Sequence, residues 1–293
     1  MSSIFDTAVP AGAFDAFERE AAPVSAAQPL WTPDDGALPS LYLSHGAPPL
    51  LDDAEWMNRL FSWAQSMPKP KAVLIVSAHW ESAPLMLSAT GAGTPLVYDF
   101  GGFHRRYYEL TYSTPDASDL ARRVAAAMPS AEPVHQHGSR GLDHGAWVPL
   151  KVMYPLADVP VLQLSMPTHD PDKLLELGRR LRPLRDEGVL VIGSGYMTHG
   201  LPFLTREMVV DNVAPWWSQD FDSWAAERIA AGDVDGLASY ESQAPGVGYA
   251  HPTVDHFVPL FVTLGAATDP EQAGQTVMDG FKMGLARRSL QLA

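Results

Sequence analysis

From Pro39 onward the chain alternates short, almost unbroken apolar runs with segments in which apolar residues recur every three or four positions. The runs predict strands at LYLSH (41–45), AVLIVSAH (72–79), LMLSAT (85–90), VPVLQLSM (159–166) and GVLVIGSG (188–195). The recurring pattern predicts helices at AEWMNRLFSWAQSM (54–67), ASDLARRVAAAM (117–128), WVPLKVMYP (147–155) and PDKLLELGRRLRPLRDEG (171–188). Two more follow, WWSQDFDSWAAERIAAGD (216–233) and VDHFVPLFVTLGAA (254–267). Strands apolar on both faces need helices over both sides. The expected fold is therefore α/β, a single domain (39–293) with a central mostly parallel or mixed β-sheet flanked by helices. In such sheets ligands gather at the carboxyl ends of the strands.

Residues 1–38 lack this alternation. They are rich in Ala, Pro, Asp and Glu, with one amphipathic patch at FDAFERE, and read as a loosely structured N-terminal arm with one helical turn. Neither a basic stretch followed by an apolar run nor a span of about 18 apolar residues occurs in it. A cytoplasmic chain with no membrane association is the expectation.

Composition narrows the chemistry. With 46% hydrophobic and 18% charged residues the chain is ordinary for a globular protein, and a formal charge of -14 leaves no basic stripe for nucleic acid. The absence of Cys excludes disulfides and thiolate ligands, so a metal site would be built from His and carboxylates.

Histidines fall where the strand rule makes them informative. His45 ends LYLSH, His79 ends AVLIVSAH, and His199 follows GVLVIGSGYMT by a short loop. His144 sits in GLDHGAW just before a helix, and His256 sits in HPTVDHFVPL in the first turn of one. Several apolar strands delivering imidazoles to one sheet edge would crowd polar groups at a cost, which makes sense around a shared cation. The pattern points to a mononuclear metal centre. HExxH and GxSxG are both missing, which argues against a zincin-type protease and an α/β-hydrolase.

The motifs LSHGAPP, VSAHW, YDFGGF, GLDHGAW, IGSGYMTHGL and PTVDHFVPL follow one another in order from about Ser40. In this order the chain resembles the LigB-type (class III) extradiol ring-cleaving dioxygenases, in the DODA-type branch related to 4,5-DOPA extradiol dioxygenases. The resemblance implies that His45, His79 and His256 are metal ligands. It places His199 as the active-site base, close enough to the metal to count as a fourth or near ligand, and His144 as a second catalytic residue facing substrate. Asp255, beside His256, stays open as the alternative third ligand, a carboxylate in its place, and His251 departs from the pattern, either rimming the pocket or capping a loop.

The implied reaction inserts both atoms of O2 into a small catecholic substrate, opening the ring to a hydroxymuconic semialdehyde. Three ligands on one face leave open positions for catecholate and dioxygen, and a neutral His within reach suits the proton transfers. One divalent metal per chain is implied, with Zn(II) expected as bound in a structure and Fe(II) for turnover. Phe100, Phe103, Tyr196 and His251 are the candidate substrate contacts. Two other readings stay open: a zinc-dependent hydrolase, and a non-catalytic binding protein of the Memo type. A homo-oligomer is compatible with all three.

Overall fold

The computed structural model describes residues 9–293. Its framework is an eight-stranded mixed sheet in the order β4-β3-β5-β2-β6-β1-β10-β7. The strands are β1 (Ser40–Ser44), β2 (Ala72–Glu81), β3 (Met86–Leu87), β4 (His135–Gln136), β5 (Val161–Met166), β6 (Val189–Gly195), β7 (Gln275–Met278) and β10 (Ser289–Leu292). A separate hairpin pairs β8 (Phe281–Lys282) with β9 (Leu285–Ala286). The four central strands β5, β2, β6 and β1 are mutually parallel, so their carboxyl ends share one edge. The outer strands β3 and β10 run antiparallel to that block.

Period-2 alternation divides the strand side chains between two cores. Leu41, Leu43, Val73, Ile75, Leu190 and Ile192 face one layer, with Phe14, Trp56 and Trp147. Tyr42, Leu74, Val76 and Val189 face the other, with Leu174, Phe221 and Phe261. Helices on both faces are what strands without a polar side require.

The first layer is built from α1 (Gly12–Ala26), α2 (Ala54–Gln65) and α4 (His144–Met153); α3 (Ser118–Ala127), α5 (Pro171–Leu181) and the helices Trp216–Ala231 and Pro259–Ala266 lie on the other. Asp53 starts α2 by accepting the Trp56 N–H, and Trp56, Met57, Leu60, Trp63 and Ala64 then form its buried stripe. Asp170 caps α5 in the same way, and Gly178 allows close contact with Pro259–Ala266, since a Cβ there would stand 2.3 Å from the Val262 carbonyl oxygen.

Four expectations differ from the structure. The arm is not loose over its middle: α1 has 15 residues and buries Phe14, Phe17 and Ala21. Each Phe contributes on the order of 1.5–3 kcal/mol by leaving water. Residues 1–8 of the arm lie outside the described residues. The helix expected over 171–188 ends at Leu181 and continues as a tighter 3-10 turn, Arg182–Glu187, because Pro183 has no N–H for the α-helical ladder. The segment 85–90 keeps only the two residues of β3 in a strand. Finally, the helix expected over 254–267 starts at Pro259, so His256 stands in the turn ahead of it. The C-terminal strands had no sequence signal strong enough to be expected; β7 is short and half polar, and pairing with β10 makes it a strand.

Candidate metal centre

The carboxyl ends of β1, β2 and β6 deliver the imidazoles to one place. His45 follows β1 directly, and its N–H donates to the Gly195 carbonyl at the end of β6. His79 lies near the end of β2. The turn 254–258 brings in His256, packed so closely against β6 that a Cβ on Gly195 would stand 2.0 Å from the His256 carbonyl oxygen. The glycines of IGSG therefore let two backbones meet.

The Nε2 atoms of His45 and His79 are 2.9 Å apart, and those of His79 and His256 are 3.3 Å apart. The outer nitrogens show why His45 and His256 turn their Nε2 lone pairs inward. Ser194 Oγ donates to the Gly145 carbonyl at 2.6 Å, so it accepts from His45 Nδ1 at 2.9 Å and leaves the proton on Nδ1. Asp255 Oδ2 accepts from His256 Nδ1 at 2.5 Å, which fixes the same tautomer. Burial, reinforced by the neighbouring imidazoles, pushes His45 and His79 well below the ordinary histidine pKa. Burial also lowers His256, against the opposing pull of Asp255. Neutral rings with converging lone pairs repel one another unless a cation lies between them, and second partners on Nδ1 are the usual companions of metal-bound imidazoles. The donor set fits a divalent metal ion.

His199 lies in the loop after β6, its ring stacked on His256 at 3.4 Å between centroids and 14° between planes. Burial, with His256 beside it, lowers its pKa to about 2, so it stays neutral at physiological pH. His144 is the first residue of α4, and its ring centroid is 3.9 Å from that of His79. The sequence reading missed Asp99, which accepts from His144 Nδ1 at 2.8 Å and from the His144 backbone N–H at 3.1 Å, while its other oxygen is 3.7 Å from His79 Nδ1. Burial would raise this carboxyl, but the His144 hydrogen bonds outweigh it and hold Asp99 below the usual carboxylate range. Asp99 belongs to YDFGGF, one of the ordered motifs, and that membership was the signal available. Ser194 was missed as well, inside IGSG.

Among the described residues, three groups have ligand atoms close enough to share an ion: His45, His79 and His256; His79, Asp99 and His144; and His199, Asp255 and His256. Asp255 meets His256 at Nδ1, the nitrogen opposite the one that faces His79.

The candidate substrate contacts separate. Phe100 presents its edge-to-face contact to His144, with ring centroids 5.8 Å apart, and Phe103 packs behind it at 6.0 Å. Tyr196 is buried, 6.3 Å from His199 between ring centroids, and burial raises its hydroxyl pKa. His251 faces the aromatic rings of Phe221 and Phe257, in the core behind the His199 loop.

Comparison with known proteins gives the family. Residues 39–282 match the family described as the catalytic LigB subunit of aromatic ring-opening dioxygenase. The chain is 40% identical over 247 residues to the 4,5-DOPA dioxygenase extradiol of Beta vulgaris, covering 82% of this chain and 91% of that relative. It is 31% identical to the 4,5-DOPA dioxygenase extradiol of Escherichia coli (strain K12), covering 87% and 94% respectively. The crystal structure of an uncharacterized protein from Escherichia coli K12 is similar with a TM-score of 0.72 at 28% identity, covering 87% of this chain and 100% of that one. The chain belongs to the LigB family and is an extradiol ring-cleaving dioxygenase of its DODA-type branch.

Proposed function

We propose that this chain cleaves a small catechol, DOPA or a close relative of it, with both oxygen atoms of O2 entering a ring-opened hydroxymuconic semialdehyde. The observation that carries this reading is the convergence of the His45, His79 and His256 Nε2 atoms, with outer nitrogens engaged on two of the three rings. These three residues would hold one divalent ion, with His199 as a near ligand. Fe(II) held there would supply the redox chemistry that lets dioxygen react with a catecholate, which Zn(II), with no accessible redox states, would not.

The remaining work falls to protein side chains. His199, stacked on His256 at the edge of the proposed metal site, takes the catechol proton as the ring binds. The Nδ1–H of His144 is committed to Asp99, which turns Nε2 away from that carboxylate and orients it as the ring nitrogen that meets the substrate side. His144 is therefore the donor to oxygen. Phe100 and Phe103 give the aromatic substrate an apolar wall beside that donor.

Dioxygen uptake by protein stripped of metal and reloaded anaerobically with Fe(II) or Zn(II), offered a panel of catechols including DOPA, tests the proposal. Stoichiometric uptake with a yellow ring-opened product in the Fe(II) sample alone is expected. Ester hydrolysis by the Zn(II) sample with no uptake in either would replace it with a zinc hydrolase.

A further inference from the structure

The turn that carries His199 is held at Met197 by Ser44, whose Oγ accepts the Met197 N–H at 3.2 Å, at Thr198 by Ala286 and Ser218, and on its remaining side by the segment Tyr249 to His256, whose far end supplies a proposed metal ligand. The His199 N–H donates to the Ala250 carbonyl at 2.7 Å, and the Tyr196 N–H donates to the His256 carbonyl at 2.9 Å. Gly200 lies so near this segment that a Cβ would stand 2.3 Å from the Tyr249 carbonyl oxygen. Between these contacts, His251 Nε2 is 2.9 Å from the Met197 carbonyl oxygen. A carbonyl can only accept, so Nε2 carries the proton.

The surroundings make this hydrogen bond unusual. His251 is 4% exposed, with ring centroids 4.9 Å from Phe221 and 5.3 Å from Phe257. Its Nδ1 is buried with no protein partner among the described residues. A phenylalanine would fill such a compartment without the desolvation cost of an imidazole. What the imidazole adds is one donor, aimed at a backbone carbonyl two residues before His199.

We propose that His251 is a positioning residue, which fixes the 196–200 turn through Met197 and so keeps the His199 ring stacked on His256. The segment then links the base to the metal ligand as one piece: Ala250 and His251 grip one end of the turn, and His256 meets the other. The inference rests on the reading of His199 as the group that moves the catechol proton.

The test uses the Fe(II)-loaded full chain and the fastest catechol of the panel, comparing His251→Phe, His251→Gln, His199→Ala and the double variant His199→Ala with His251→Phe. His251→Phe is expected to lower kcat at least about tenfold while metal content and KM stay within a few-fold, as expected when the geometry of a proton-transfer group is lost. His251→Gln, which keeps an N–H donor, should recover most of the loss. In the His199→Ala background His251→Phe should have no further effect, because both act through one group. Full activity of His251→Phe beside an inactive His199→Ala would overturn this inference alone. Equal losses in the Phe and Gln variants, or loss of metal from either, would assign His251 to packing or to His256 and overturn it too. An active His199→Ala would remove the reading of the base itself.

Discussion

The hydroxyl of Ser194 donates to the backbone carbonyl of Gly145 at 2.6 Å, joining the end of β6 to the first turn of α4. That carbonyl is available because Pro149, four residues on and inside α4, has no N–H to claim it. A proline in a helix interior commonly costs about 3 kcal/mol. Here the freed acceptor sets the direction of the Ser194 hydroxyl, and the hydroxyl in turn sets the tautomer of His45.

Replacing Ser194 with Ala should weaken metal binding about 10–100-fold, the range found for lost partners of metal-bound histidines, while the fold persists. His45 Nδ1 would lose its acceptor and the ring its preferred tautomer. Chelator competition on the purified variant measures the change; unchanged affinity would show that Ser194 does not orient His45.

Gly145 is the point at which α4 meets the imidazoles. A Cβ there would stand 2.4 Å from Ser77 Oγ, 3.0 Å from His79 Cδ2 and 3.1 Å from His45 Cε1. Gly145→Ala must therefore displace two proposed ligands, and metal content per chain should fall well below stoichiometric. Elemental analysis and a melting curve on the same sample distinguish this from global unfolding.

Asp99→Asn should leave metal content intact, because the ligating nitrogens come from other residues, and lower kcat by about 10²-fold through the loss of proton transfer at His144. A variant that loses its metal instead would place Asp99 in the coordination sphere, in the group it forms with His79 and His144.

A pH-dependent contribution to stability comes from Asp53. Burial would raise its carboxyl, but the Lys282 ammonium 2.8 Å away, the Trp56 N–H and the Arg287 charge outweigh that effect and hold it below its ordinary 3.8. A depressed pKa means that the folded state binds the proton less readily than the unfolded chain. The stabilisation is therefore present above about pH 4 and is lost as pH falls through the folded value. Asp53→Asn should cost about 1 kcal/mol or less at pH 7, since Asn still caps α2, and the gap to the parent should close below pH 4. Urea titrations at pH 7 and pH 3 measure both.

The apolar runs at 72–79, 159–166 and 188–195 identified the central strands by themselves, because a strand covered on both faces has no polar side to interrupt it. The strand-end positions of His45 and His79 were legible for the same reason: a charged or polar residue closing such a run marks the sheet edge. The sequence was silent on what each imidazole would face. His45 and Ser194 are separated by 149 residues, and their meeting depends on the parallel register that sets Ser44 beside Gly195. Asp99 reads as one acidic residue in an aromatic loop until the fold carries it 45 residues away to His144. Local sequence patterns report which side of an element is buried. The tautomer of a histidine is decided by the single atom on its far nitrogen, and only long-range packing brings that atom into place.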